Sequence, residues 1–152
     1  MKKILSLALA ILMLLMLCSC GGKDPSITAL AEYPASPSLK DAEKFVKSCG
    51  YDVTGTTDRS VSFSHGDWTG LAMTQGVSLS YNTIGKSEAE FDAAIEAVRS
   101  ELEALCGKAY ASNTSQMPPI TTEFYQYGNK VIAITIIPGT VKSLSISIQY
   151  AG

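Results

Sequence analysis

The chain has 152 residues, of which 46% are hydrophobic and 17% are charged, and its formal net charge at pH 7 is −2. This length is typical of one domain, and the apolar fraction is sufficient for a hydrophobic core. The small charge bias excludes an intrinsically disordered chain and argues against nucleic-acid binding, which needs a basic surface. The hydrophobic fraction of the whole chain averages two unlike parts, because the first 19 residues are mostly apolar.

The first twenty residues have the regions of an export signal. The chain starts with the cationic Met1-Lys2-Lys3, and residues 4–17 are apolar apart from one serine. A cationic start, a short apolar run and a small residue before the cleavage point are typical of a secretory signal. The apolar run of about 14 residues is shorter than the roughly 20 that span a bilayer.

The end of this run resembles the lipobox of bacterial lipoproteins, in which leucine and two mostly small residues precede an acylated cysteine. Leu17, Ser19 and Cys20 match that pattern, and Cys18 is a less usual occupant of its position. The resemblance implies that residues 1–19 are a signal peptide, cleaved before a lipid-modified Cys20. The alternative is a secretory signal that is cut elsewhere.

A lipid on Cys20 would make the protein extracytoplasmic, anchored to the outer leaflet of the bacterial cell membrane or to the outer membrane. Removal of the signal takes away two lysines and changes the net charge from −2 to −4. A mildly acidic surface does not favour anionic lipid or nucleic acid. The lipid, rather than a basic patch, would hold the domain at the membrane.

Residues 20–38 are predicted to be a lipidated N-terminus and a flexible tether. Their composition shifts to Gly, Pro, Ser, Ala and Asp, and they show no helical or alternating apolar period. Ile27, Leu30 and Tyr33 leave open the alternative that the segment is ordered and packs on the domain. A single domain is expected over residues 39–152.

Capping signals and apolar stripes predict two amphipathic helices. Ser38 is an N-cap before a stripe that runs to about residue 49, where Gly50 is a stop signal. Ser87 and Glu90 form a capping box before a second stripe, which ends at Cys106-Gly107. Solvation and the helix dipole explain the acidic outer face of the second helix.

Between and after the helices the apolar period changes from 3.6 to 2. Apolar residues alternate with serine around residues 61–65, 77–81 and 144–150, while residues 131–137 are more uniformly β-branched. Gly66-Asp67 and Gly128-Asn129 are hairpin turn signals. These patterns predict an antiparallel sheet of about six strands with one buried face and one wet face.

The predicted fold class is α+β, a two-layer sandwich in which both helices cover one face of the antiparallel sheet. The two halves share one order of signals, a capped helix, Cys-Gly and three strands, which indicates a tandem αβββ pseudo-repeat. The arrangement is similar to that of β-lactamase-inhibitor-like and PepSY-like domains, although no motif is shared. Architecture of this kind implies no particular activity.

Cys49 and Cys106 are the thiols that remain in the body of the chain. In an exported protein an even pair suggests a disulfide, whereas two buried thiols packed as small hydrophobic side chains are the alternative. The sequence leaves both open. Two separated cysteines without nearby histidines fall short of zinc spacing, so neither a metal nor another cofactor is expected.

His65 is the single histidine, and it lies beside a predicted hairpin turn. General-base chemistry would need a nucleophile and an orienting acid within reach, and no nucleophile or phosphate-binding motif is present. We therefore expect a solvated histidine and a protein that is not an enzyme.

The aromatic residues Trp68, Tyr125 and Tyr127 are the candidate binding residues. Tyr125 is out of phase with Phe124, so at least one ring on that strand should point away from the helices. Such rings on the open face of the sheet would form a surface for a peptide, a glycan or a partner protein. The alternative is that they pack as covers of hairpins and edges.

These features together predict a lipid-anchored, non-enzymatic interaction module of the bacterial cell envelope. One alternative is a small-ligand-binding or substrate-delivery lipoprotein, which would need a pocket between helices and sheet. The other is an enzyme inhibitor or accessory protein.

Overall fold

The computed structural model describes residues 26–151, so the predicted signal peptide and Cys20 lie outside the described residues. The helices are α1 (Ile27–Ala31), α2 (Leu39–Ser48) and α3 (Glu88–Cys106). The strands are β1 (Asp52–Thr56), β2 (Ser60–His65), β3 (Trp68–Met73), β4 (Gly76–Tyr81), β5 (Ala111–Gln116), β6 (Pro119–Tyr127), β7 (Lys130–Ile137) and β8 (Ser143–Tyr150). The fold is therefore α+β, as predicted.

All eight strands belong to one antiparallel sheet with the order β1-β2-β3-β4-β8-β7-β6-β5. The central pair is β4 and β8, and the edges are β1 and β5. Four strands follow each of α2 and α3, whereas the sequence predicts three. The additional strands are the two edges.

Alternate residues of the strands pack with the helices in one hydrophobic core. We call this side of the sheet the core face. Its fully buried strand residues include Val61, Phe63, Leu79, Tyr125, Ile132, Ile134, Leu144 and Ile146. From the helices, α2 contributes Ala42 and Val46, and α3 contributes Phe91, Ile95, Val98 and Leu102. The wholly apolar stripe of each helix is what fixes it over the sheet.

The helices begin where the capping signals predict. The Ser38 hydroxyl accepts a hydrogen bond from the Asp41 N–H, and the Ser87 hydroxyl accepts one from the Glu90 N–H. The Glu90 carboxylate accepts from the Ser87 N–H in return, which completes the capping box. No helix among residues 26–151 is long and apolar enough to cross a bilayer.

The segment before α2 packs on the domain instead of forming a tether. Leu30 and Ala31 are fully buried and Tyr33 is 1% exposed. The predicted tether is therefore wrong for residues 26–38, and the ordered segment considered as its alternative is what the structure contains. The prolines and small residues of the segment obscure a short apolar stripe on α1, which ends before Pro34 and Pro37.

Side-chain hydrogen bonds tie this segment to the sheet. The Tyr33 hydroxyl donates to the Met73 carbonyl, and the Tyr150 hydroxyl donates to the Tyr33 carbonyl, both at 2.8 Å. The buried Lys130 ammonium donates to the Ala31 carbonyl at 2.5 Å and lies 5.3 Å from the centroid of the Tyr150 ring. These contacts replace the water that the lysine loses on burial.

Candidate functional site

The side of the sheet opposite the core face is rich in hydroxyl groups. Strand register aligns one residue from each strand in a single transverse row. In spatial order the row is Asp52, Ser64, Thr69, Ser80, Ser145, Thr135, Thr122 and Asn113. We call this set the hydroxyl row and the side of the sheet that carries it the hydroxyl face. Strands about 4.8 Å apart make the row about 34 Å long.

The hydroxyls of this row are mostly not used by the fold. Thr122 and Thr135 lie within hydrogen-bond distance of each other, with their hydroxyl oxygens 3.3 Å apart. Among the described residues, the hydroxyls of Ser64, Ser80 and Ser145 have no side-chain hydrogen-bond partner, and no buried polar side-chain atom lacks one. These three hydroxyls are therefore accessible to solvent or to a ligand.

The hydroxyl face also carries very little charge. Among the described strands, Asp52 at the β1 edge is the only charged residue that the register places there. The other charged residues of the described strands lie on the core face. Surfaces that serve solubility alone carry interspersed charges of both signs, so an uncharged sheet face is unusual for a surface that meets only water.

A shallow depression of about 370 Å³ lies on the β1–β4 half of this face. Its walls include Thr54, Ser62, Ser64, Thr69, Leu71, Ser78 and Ser80. The depression exists because serine and threonine side chains are small, whereas the β6–β7 half carries larger groups such as Phe124 and Val131.

The predicted aromatic residues do not form a surface on this face, which corrects the prediction. Tyr125 is 1% exposed on the core face, and its hydroxyl donates to Glu123 at 3.0 Å. Phe124 is the ring of that strand that points to the hydroxyl face, where it packs 6.3 Å from Tyr110.

Trp68 and Tyr127 are half-buried against the core and lie on different halves of the sheet. Trp68 packs 5.1 Å from Tyr81, centroid to centroid. The Tyr127 hydroxyl donates to the Glu32 carboxylate of the N-terminal segment. These positions fit their alternative role, as covers of the core.

A second concavity lies between α3 and the core face, with α1 at its rim. Its volume is about 140 Å³. The lining residues are Ile27, Tyr51, Trp68, Leu79, Ala94, Ala97, Val98 and Glu101. We call it the α3 pocket. The small-ligand alternative requires such a pocket, but its position is not predictable from the sequence because its walls come from five separate segments.

No disulfide joins Cys49 and Cys106. Cys49 belongs to the core and Cys106 is half-buried against it. Burial raises the pKa of the Cys106 thiol, which keeps it protonated and poorly reactive. Of the two alternatives, the structure supports buried thiols.

His65 is exposed at the end of β2, beside the hairpin turn. Asp67, the acid nearest to it in sequence, forms an ion pair with Lys86 at 2.7 Å. Within residues 26–151, no three or more side chains of His, Cys, Asp or Glu lie where they could hold a metal ion.

An ion-pair network on the core face joins α3 to β6. The Arg99 guanidinium donates to both carboxylate oxygens of Glu123, with distances of 2.5 to 3.1 Å. These hydrogen bonds hold the pKa of the Glu123 carboxyl below its usual range. The network is structural, since it positions the helix on the sheet and uses up its own hydrogen-bonding groups.

No protein-family model matches this chain, and neither the curated proteins nor the solved structures include one that it resembles.

Proposed function

We propose that this chain is a lipid-anchored, non-enzymatic binding module of the bacterial cell envelope, which binds an uncharged, hydroxyl-rich polymer such as a glycan strand. The observation that carries the proposal is the hydroxyl row. It offers donors and acceptors at regular spacing across eight strands, on a face almost without charge.

A glycan is the partner whose chemistry fits this face best. Sugar hydroxyls pair with serine and threonine hydroxyls, which donate and accept equally well. Beside the hydroxyl row, Leu71, Ala133 and Phe124 of the adjacent row supply apolar contacts for the flat sides of sugar rings. The length of the row favours an extended polymer over a small molecule.

The anchor part of the proposal is supported by the lipobox pattern at Leu17–Cys20 and by the start of the ordered domain. Ser26 is only six positions after Cys20, so the two are at most about 22 Å apart. A lipid on Cys20 would therefore hold the domain close to the head groups.

We also propose the two-layer sandwich and the internal repeat. The core residues of α2, α3 and the strands form a single cluster, as one helical layer on one sheet requires. Each of α2 and α3 is followed by four antiparallel strands, and the two sets meet at β4 and β8 in reversed order. Repeat units of the form αββββ account for this order.

Co-sedimentation with purified cell-wall glycan and titration with chitotetraose, an uncharged oligosaccharide, test the binding proposal. Ser80→Lys with Ser145→Lys puts two charges in the middle of the hydroxyl row, and we expect affinity to fall at least tenfold. Ser48→Lys with Ser100→Lys adds the same charge at exposed helix positions and should leave affinity unchanged. Undiminished binding by the first variant contradicts the proposal.

Labelled-palmitate incorporation in the native host tests the anchor. Cys20→Ser should abolish labelling and release the protein from the membrane fraction, while Cys18→Ser should retain both. Equal labelling of the two variants is the result that overturns lipidation at Cys20.

The α3 pocket favours the small-ligand function as a second candidate. It is the space between helix and sheet that such a function requires.

A further inference from the structure

The α3 pocket owes its space to two alanines on α3. Ala94 and Ala97 line it together with the buried Val98, while Ile95 of the same helical turn packs in the core beside it. Leu79 of the sheet and Ile27 of α1 complete the aliphatic walls of the pocket. A volume of about 140 Å³ corresponds to about five water-sized groups, so the pocket suits a short-chain molecule.

The Tyr51 hydroxyl is a polar group that the fold leaves unused at this pocket. Tyr51 is 5% exposed, and its ring is held edge-on to Phe63 at a centroid distance of 5.0 Å. Within residues 26–151 its hydroxyl has no hydrogen-bond partner, yet no buried polar side-chain atom is unpaired. The hydroxyl therefore retains access to open space, although nearly all of the side chain is buried.

Glu101 is the only charged residue in the pocket lining. Its Oε1 accepts hydrogen bonds from the Ser26 hydroxyl at 2.6 Å and from the Thr28 N–H at 2.8 Å. These bonds orient the carboxylate, and Oε2 accepts no hydrogen bond from the described residues. Tyr51 and Glu101 both line the pocket, and burial, followed by the negative charge of Glu101, raises the pKa of Tyr51.

The pocket thus combines a fixed carboxylate, an unused hydroxyl, an indole ring and aliphatic walls. A carboxylate at the rim selects a cation or a hydrogen-bond donor, and aromatic rings attract ammonium groups through their electron-rich faces. The aliphatic walls select an uncharged hydrocarbon body.

We propose that the α3 pocket binds a small primary amine with a short apolar body. The ammonium group would donate to Glu101 Oε2 and to the Tyr51 oxygen, and the hydrocarbon chain would lie between Leu79 and Val98. This site is separate from the hydroxyl face, on which the proposed glycan function depends.

Trp68 is the only tryptophan of the chain, so its fluorescence reports directly on this pocket. We expect n-butylammonium chloride to produce a saturable fluorescence change in the full domain. Butanol, which keeps the shape but not the charge, should bind at least tenfold more weakly, and butyrate should not bind. No saturable change, or equal responses to all three compounds, would overturn the proposal.

Two variants locate the binding. Glu101→Gln keeps an oxygen for Ser26 and Thr28 but removes the charge, and it should weaken n-butylammonium binding at least tenfold. Ala97→Phe should fill the pocket and abolish binding, whereas Ala93→Phe, at an exposed position one turn earlier that does not line the pocket, is the matched control. Circular dichroism verifies folding of each variant, and full binding by either pocket variant contradicts the assignment.

The paired variant Ser80→Lys with Ser145→Lys separates this proposal from the glycan proposal. It should bind n-butylammonium with unchanged affinity, because both serines lie on the opposite side of the sheet. Loss of amine binding in that variant would mean that the fluorescence response does not come from the pocket.

Discussion

The two faces of the sheet are made by the same strands but differ in composition and burial. Along β8, Leu144, Ile146 and Ile148 are buried on the core face, while Ser145 and Ser147 between them are on the hydroxyl face. Successive side chains of a strand point to opposite sides, so each strand carries both patterns. From this difference we expect stability to depend on the core face and the proposed glycan binding to depend on the hydroxyl face.

The largest effect is expected from Ile146→Ala at the centre of the core face. Ile146 is 1% exposed and is paired with Leu79 on β4 and Ile134 on β7. The cavity and the lost burial should reduce the free energy of unfolding by about 3 to 4 kcal/mol, measured by urea denaturation. Ser145→Ala, its neighbour on the hydroxyl face, should change it by less than about 0.5 kcal/mol. Similar losses for both would show that the faces do not divide the two roles.

Leu30→Ala tests whether the N-terminal segment is part of the hydrophobic core that covers the core face. Leu30 is fully buried on α1, so we expect a loss of about 2 to 3 kcal/mol in the free energy of unfolding. Thr28→Ala on the same helix removes only an exposed side chain and keeps the N–H that contacts Glu101. A loss for Leu30→Ala as small as that of the control would restore the tether interpretation of this segment.

Gly70→Ala tests how closely the core face is packed. An added Cβ would lie 2.4 Å from the Phe63 ring and 2.7 Å from the Ser78 carbonyl oxygen. We expect the free energy of unfolding to fall by about 1 to 3 kcal/mol, because a ring and a backbone atom must move. Gly55 has no atom within 4 Å of the same position, so thermal unfolding of Gly55→Ala should occur at or slightly above the wild-type temperature. A tolerated Gly70→Ala would mean that Phe63 has room to shift.

The smallest effect is expected from Glu123→Gln, which changes the carboxylate that Arg99 of α3 binds on the core face. It should reduce the free energy of unfolding by about 1 to 2 kcal/mol at pH 7, because it weakens hydrogen bonds to a charged group. Arg99 lowers the pKa of Glu123, so this contribution is present above the ordinary carboxyl pKa of about 4.3. It disappears as pH falls through the lowered value.

The measurement is urea denaturation of both proteins between pH 7 and pH 3. Wild type should lose more stability than Glu123→Gln across this range. The control Glu43→Gln breaks an exposed pair with Lys47 and should cost no more than about 0.5 kcal/mol. Parallel pH profiles for wild type and Glu123→Gln would contradict the assigned pairing.

Elements with strong local signals are predictable from the sequence. The capping serines Ser38 and Ser87 place α2 and α3 to within one residue, because a cap and an apolar stripe are both local. The alternation around Phe63, Leu79 and Ile146 predicts inner strands for the same reason. Gly66 and Gly128, with φ of 55° and 58°, make the two-residue hairpins that their dipeptides predict.

The edge strands and the N-terminal segment are not predictable in this way. All six residues of β5 are exposed, so they carry no apolar period, and β1 is exposed at all but one position. Edge strands form because a neighbour offers backbone hydrogen bonds, which side-chain patterns do not record. Leu30 and Tyr33 are buried by contacts with residues far along the chain.

The two candidate sites show the same limit. The hydroxyl row requires the pairing of Ser80 with Ser145, which are far apart in sequence and joined only by β4–β8 register. The α3 pocket requires Tyr51, Trp68 and Glu101 to meet. Serine alternation in the sequence indicates a wet face but does not indicate how the serines align across strands.

The position of β8 has a consequence for how the chain acquires its structure. It is the last of the strands in residues 26–151, yet it lies in the middle of the sheet, between β4 and β7. Until residues 143–150 are available, β4 and β7 each have an unpaired edge and the two four-strand halves are not joined. The slow step of folding is therefore expected to be closure of this distant pairing. In a chain that emerges from a pore with its N-terminus first, this sheet would remain incomplete until β8 is released.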